Sequence, residues 1–218
     1  MRERLQVDER RARLLELGLK LFGSRSYEEI SIHDIAAEAG ISKGLLYHYF
    51  NGKRGFYLAT LELAGVRLLE AITVIDLNVT LEDRSAKGLM AYLTYVEAQA
   101  VNYSALMHGG LGADKEVLTI VERIREVVVS RIMHGLGLQS PRPVFRAAAR
   151  GWVGSVEASS LDWLKYGEPT KEELVRLLLG QLYAALQVAS QLDAESGVVL
   201  DPALAVVLTP APTRPPPE

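Results

Sequence analysis

Two short runs of helical character, each preceded by a serine and joined through Gly40, constrain this chain more than any other feature. Ser31-Ile-His-Asp34 has the form of a capping box with Ser31 as N-cap, and Ile32, Ile35 and Ala36 then fall on one inward face. Gly40 follows at the point where a backbone can turn at positive φ without a Cβ penalty. Ser42 caps a second run, Lys43 to Phe50, and Asn51-Gly52 breaks it before Lys53 opens a longer helix. Two short helices across a glycine turn make a helix-turn-helix, and the second helix of such a unit has to be two-faced. Leu46 and Phe50, four residues apart, serve the core, while Lys43, Gly44, Tyr47 and His48 cluster on the opposite side. Gly44 lets a duplex come close to the backbone. Lys43 and His48 can reach base edges, and Tyr47 and Tyr49 can donate hydroxyls to phosphates. Lys53, at a helix N-terminus, joins an ammonium to free amides, which suits a phosphate. The same shape also occurs in proteins that bind no DNA, with Tyr47 and Tyr49 as half-buried aromatics.

The rest of the chain reads as helix too. Leu14, Leu17, Leu21 and Phe22 mark a first helix from Asp8 to about Phe22. Beyond Lys53, further helices are expected from Thr80 to about Ser104, from Asp114 to His134, from Ser140-Pro141 to Tyr166, and from Thr170 to about Ser190. Glycines at 109, 110, 112, 135, 137 and 167 separate them, and Thr170-x-x-Glu173 is a second capping box. The expectation is all-α, about nine helices in all. A three-helix head fills residues 1–53, a helical ligand-binding and dimerisation domain fills 54–192, and a flexible Pro-rich tail fills 193–218.

The string Gly40-Ile-Ser-Lys-Gly-Leu-Leu-Tyr-His-Tyr-Phe-Asn-Gly-Lys53, preceded by Ile35-Ala36 and Leu21-Phe22, resembles the TetR family of bacterial regulators. The resemblance covers about residues 8 to 56. It implies a homodimeric, all-α transcriptional repressor, an operator of palindromic double-stranded DNA, and release by a small-molecule effector. By position, Ser31, Ser42, Tyr47, Tyr49 and Lys53 match the family's phosphate contacts, and Lys43, Gly44 and His48 match its base-reading positions. Leu45 departs from the Thr or Ser of many members, so only apolar contact, as to a thymine methyl, is open to it.

Charge and composition set limits. The net charge is −3, split as +2 over residues 1–60 and −5 over the remainder. There is no cysteine, which excludes disulfides, thiolate metal sites and cysteine nucleophiles. Neither a signal peptide nor a membrane span is readable, so a cytoplasmic place without membrane attachment is expected. No nucleophile–base motif, phosphate loop or spaced metal-ligand set appears, so the reading is not an enzyme, with no catalytic residue, no metal and no cofactor.

The second half offers candidates rather than motifs. Phe145, Ala149, Trp152, Val156, Ser159 and Trp163 lie along one helical stripe, as pocket wall or as plain core. Glu97 shares a stripe with Met90, Leu93, Thr94 and Val101, where a carboxylate needs a ligand donor, a local partner or water. Leu93 belongs to the same candidate pocket, and Met107 is placed at its entrance. For a dimer, Ala147, Gly151, Gly154, Ser155 and Ala158 give a small-residue face, and Leu174, Leu178, Leu182, Ala185 and Ala189 a seam on the last helix.

Overall fold

Every regular element among the described residues is helical. The computed structural model describes residues 2–73, 81–108, 114–138, 140 and 142–200. Its helices are α1 (Arg2–Ser24), α2 (Ile32–Glu38), α3 (Lys43–Phe50), α4 (Lys53–Ala71), α5 (Leu81–Ala98), α6 (Ala100–His108), α7 (Lys115–Gly135), α8 (Pro143–Tyr166) and α9 (Lys171–Leu192), with a short 3-10 turn at Ala194–Ser196. The expected cap Thr80, the glycines at 109, 110 and 112, Pro141 and the Pro-rich stretch from residue 201 lie outside the described residues.

Two boundaries differ from expectation for local reasons. α1 begins well before Asp8, because Arg, Glu, Leu and Gln in the opening residues are good helix formers. The helix expected over 80–104 is two, broken at Gln99. There one N–H is shared between the carbonyls of Tyr95 at 3.1 Å and Val96 at 3.2 Å, which tightens the turn.

The chain divides into two compact units, residues 1–71 with 94–124 and residues 72–93 with 125–218. The first unit is larger than the expected head of residues 1–53. Its core joins Leu14, Phe22, Ile35, Leu46, Phe50, Phe56, Tyr57 and Leu61 to Val117, Ile120 and Val121 of α7. Phe22, Phe50, Phe56 and Tyr57 meet mostly edge to face, with Phe22–Tyr57 centroids 4.9 Å apart and Phe50–Phe56 centroids 5.0 Å apart. Close approach is allowed by missing side chains. A Cβ on Gly55 would collide with the Phe50 carbonyl oxygen, so α4 can follow α3 this tightly only with glycine there. Arg54, beside it, forks onto Asp114 with hydrogen bonds of 2.8–3.1 Å and also pairs with Glu116, tying the start of α4 to the start of α7.

The second unit is organised on the α8–α9 pair. One cluster gathers Leu89, Leu93, Val156, Trp163, Leu174, Val175 and Leu178, and another gathers Val129, Met133, Phe145, Ala149, Val153, Leu186 and Ala189. Thr170 and Glu173 form the expected capping box of α9. Arg125 of α7 forks onto Glu157 of α8 with two hydrogen bonds of 2.8 Å, both side chains being mostly buried.

The seam expected on α9 is corrected here. Leu174, Leu178 and Ala189 are buried inside their own chain, with Leu182 and Ala185 half-buried. The strongest apolar stripe goes to the intrachain core, where its burial carries no cost in association entropy. What α9 leaves outside is the neighbouring stripe, Leu177, Gln181, Ala184 and Val188, with Leu177 50% and Val188 54% exposed. On α8, Ala147, Gly151, Gly154 and Ala158 are exposed, Ser155 is half-buried with its hydroxyl 2.7 Å from Gln181 Oε1, and no described residue lies within 4 Å of a Cβ built on Gly151 or Gly154.

Candidate nucleic-acid interface

The turn between α2 and α3 is set by chemistry within ten residues. Ser31 Oγ accepts from the Asp34 N–H at 3.1 Å, and the Asp34 carboxylate accepts from the Ser31 N–H at 2.8 Å. The Ser31 N–H, with the Ser31 hydroxyl beside it, holds the Asp34 carboxyl below its ordinary value. At the other end Gly40 stands at φ +64°. Its N–H donates to the Ala37 carbonyl at 3.1 Å and the Ile41 N–H donates to the Ala36 carbonyl at 3.0 Å, the two bonds of a Schellman motif. Ile41 packs onto the core and Ser42 then caps α3, its Oγ accepting from the Leu45 N–H at 3.2 Å. That bond uses a lone pair, so the Ser42 hydroxyl keeps its proton for an outside acceptor.

α3 is as two-faced as its sequence. Leu46 is fully buried and Phe50 nearly so. Lys43, Gly44, Tyr47 and His48 are exposed, and Leu45 and Tyr49 are half-buried. Tyr47, 53% exposed, lies along Gly52, where an added Cβ would come within 3.2 Å of its ring. A Cβ on Gly44 would meet only the Ser42 hydroxyl, at 3.9 Å, so the surface beside Lys43 is open. Asn51 ends the helix at φ +56°, its N–H donating to the Tyr47 carbonyl at 2.8 Å.

Lys53 opens α4, but its ammonium is not loose. Nζ lies 4.0 Å from the centroid of the Tyr27 ring. Partial burial draws its pKa below the ordinary lysine value, against the raising influence of Glu28 and Asp34. The sequence reading missed Tyr27, Arg54 and Gly55. Tyr27 is 26 residues from Lys53 and Arg54 is 60 from Asp114, so no local pattern links either pair. Gly55 carried a signal only as a glycine in a helical run.

The ligand candidates fall into separate groups. Leu93, Val156 and Trp163 are buried together in one cluster of the second unit. Trp152 packs against it half-buried, its Nε1–H donating to the Leu178 carbonyl at 2.7 Å. Met107 packs at the edge of the first unit's core. Glu97 is exposed, as are Thr94 and Val101 of its stripe, so the apolar surroundings expected for that carboxylate are not found. The stripe is half as wide as it reads, because only Leu93 and Met90 turn inward.

Two family models match separate stretches of the chain. Residues 14–60 match the model "Bacterial regulatory proteins, tetR family", and residues 81–185 match "Tetracyclin repressor-like, C-terminal domain". The HTH-type transcriptional activator FasR of Mycolicibacterium smegmatis is 28% identical over 180 residues, covering 78% of this chain and 79% of FasR. The HTH-type transcriptional regulator BetI of Brucella anthropi is 31% identical over 152 residues, covering 59% and 76%. A tetR-family transcriptional regulator from Streptomyces coelicolor superposes with a TM-score of 0.79 at 31% identity, over 92% of this chain and 89% of that one.

Proposed function

The chain belongs to the TetR family of helix-turn-helix transcriptional regulators, and from that premise we propose that it is a homodimeric repressor, released from a palindromic operator by a small, mostly apolar ligand. The observation that carries the reading is the outer face of α3. Lys43, Gly44, Tyr47 and His48 stand together on a helix whose other face is locked into the core by Leu46 and Phe50. In the major groove, Lys43 and His48 meet base edges, Leu45 offers apolar contact, and Gly44 brings the backbone close. Ser31, Ser42, Tyr47, Tyr49 and Lys53 contact phosphates and fix the register. Ser31 does so in competition with Asp34, which its N–H and hydroxyl both serve.

A palindrome is read by two α3 helices about 34–36 Å apart. The exposed stripes Ala147, Gly151, Gly154, Ala158 of α8 and Leu177, Gln181, Ala184, Val188 of α9 would meet their copies across a two-fold axis as a four-helix bundle. Gly154→Arg is therefore expected to leave the monomer folded and to shift the chain toward monomer in sedimentation velocity. A wild-type chain that sediments as a monomer at micromolar concentration overturns the dimer.

Leu93, Trp152, Val156 and Trp163 provide apolar wall for an effector. An effector that prefers one conformation by a typical 1–3 kcal/mol changes operator affinity about 5- to 150-fold. Among the described residues no helix is long and apolar enough to cross a membrane, and we place the protein with its DNA in the cytoplasm. A second reading, activation through the same head, is favoured by the similarity to a relative named as an activator. Selection of genomic fragments on the full chain, followed by a reporter driven by the selected site, tests both. Expression that rises when the gene is deleted supports repression, and expression that falls supports activation. Failure to enrich any fragment would overturn both.

A further inference from the structure

We infer that Tyr27 is a positioning residue for DNA binding: its ring seats the Lys53 ammonium at the start of α4 and presents it, pre-oriented, to a phosphate. The inference rests on the reading of Lys53 as a phosphate contact.

The seat itself is held firmly. Tyr27 lies in the turn between α1 and α2, and that turn is pinned twice. The Ser26 N–H donates to the Glu29 carboxylate at 2.9 Å, and the Arg25 guanidinium donates to the Glu29 carbonyl at 2.9 Å. Ile30, directly after it, is fully buried. The ring stacks on Phe22 with centroids 6.3 Å apart and meets the Tyr57 ring edge-on at 5.1 Å. Tyr27 is thus the outer member of an aromatic group rooted in the core, and the Lys53 ammonium lies over its ring, 4.0 Å from the centroid.

A free lysine spreads over many rotamers, and freezing it on binding costs about 0.5–1.5 kcal/mol. The ring takes much of that loss in the unbound protein. It also removes part of the ammonium's water before DNA arrives. A π-face is a weaker partner than a phosphate oxygen, so the seat does not compete with the contact. Glu28 and Asp34, the acidic groups near enough to act on Lys53, would otherwise draw the side chain away from DNA.

The test uses the full-length chain and a fluorescent random-sequence duplex, because a phosphate contact needs no operator. Tyr27→Leu is expected to weaken binding roughly fivefold, the equivalent of one unfrozen side chain, while Tyr27→Phe stays near wild type. In a Lys53→Gln background the same Tyr27→Leu change should cost nothing. Equal loss in both backgrounds, or none in the wild type, overturns the positioning role and leaves the Lys53 contact standing. Lys53→Gln should itself lower the slope of log affinity against log salt by about 0.9, and no change there overturns both readings. A readout free of DNA completes the test. The Lys53 ε-methylene resonance should be shifted upfield by the ring and return to an ordinary position in Tyr27→Leu, and an unshifted wild-type resonance overturns the seat.

Discussion

Gly55→Ala is expected to destabilise the unit that carries the DNA-reading helix by about 3 kcal/mol or more, with loss of DNA binding as a consequence of unfolding. The added methyl would collide with the Phe50 carbonyl oxygen, and the obstacle is backbone rather than a movable side chain. Relief requires α4 to shift from α3, which pulls Phe56 off Phe50 and Phe22 and opens the centre of the core. Denaturant unfolding followed by circular dichroism checks this. A midpoint within error of wild type would show that the α3–α4 turn yields more easily than its geometry implies.

Gly44→Leu is expected to do the reverse. A Cβ there meets nothing closer than the Ser42 hydroxyl among the described residues, and leucine favours a helix over glycine by up to about 1 kcal/mol. Stability should be unchanged or slightly raised. On the proposed docking, however, the side chain would stand between the α3 backbone and the base edges. It should cost on the order of a hundredfold in affinity, the worth of about two direct base contacts. Anisotropy on a selected operator beside a thermal melt gives both numbers. Tight binding by a well-folded Gly44→Leu chain would take α3 out of the groove. Two glycines eleven residues apart thus separate the two demands on the head: one is a packing requirement, the other a docking requirement.

What could be read from the residues was chemistry between near neighbours. Ser31, Ser42 and Thr170 were legible as caps because a hydroxyl and an N–H three residues on belong to the same turn. Gly40 was legible because a helix ending in a left-handed residue has few alternatives. The two faces of α3 followed from helical period alone. The remainder depends on which surfaces the fold brings together. Tyr27 reaches Lys53, and Arg54 reaches Asp114, only once α1, α4 and α7 share a core. The α9 stripe was misassigned for a related reason. Leu174, Leu178 and Ala189 carry the apolar pattern, but a pattern does not say whether its partner is the same chain or another. For Glu97 the residue types left a ligand donor, a local partner and water all open, and the exposure of Thr94 and Val101 beside it follows only from the fold.

The division of the chain bears on how such a regulator can change over time. Its path passes between the two compact units three times, after Ala71, inside α5 after Leu93 and inside α7 after Ile124. Recombination at one junction could not graft a new head onto an old effector half, since a cut near residue 53 would strand Val117, Ile120 and Val121 without the aromatics they cover. If α3 reads the operator as proposed, new preferences are open to single changes at Lys43, Leu45 and His48, none of which belongs to the described core clusters. On that reading specificity can change residue by residue, whereas the two units, crossed three times by the chain, can be exchanged only together.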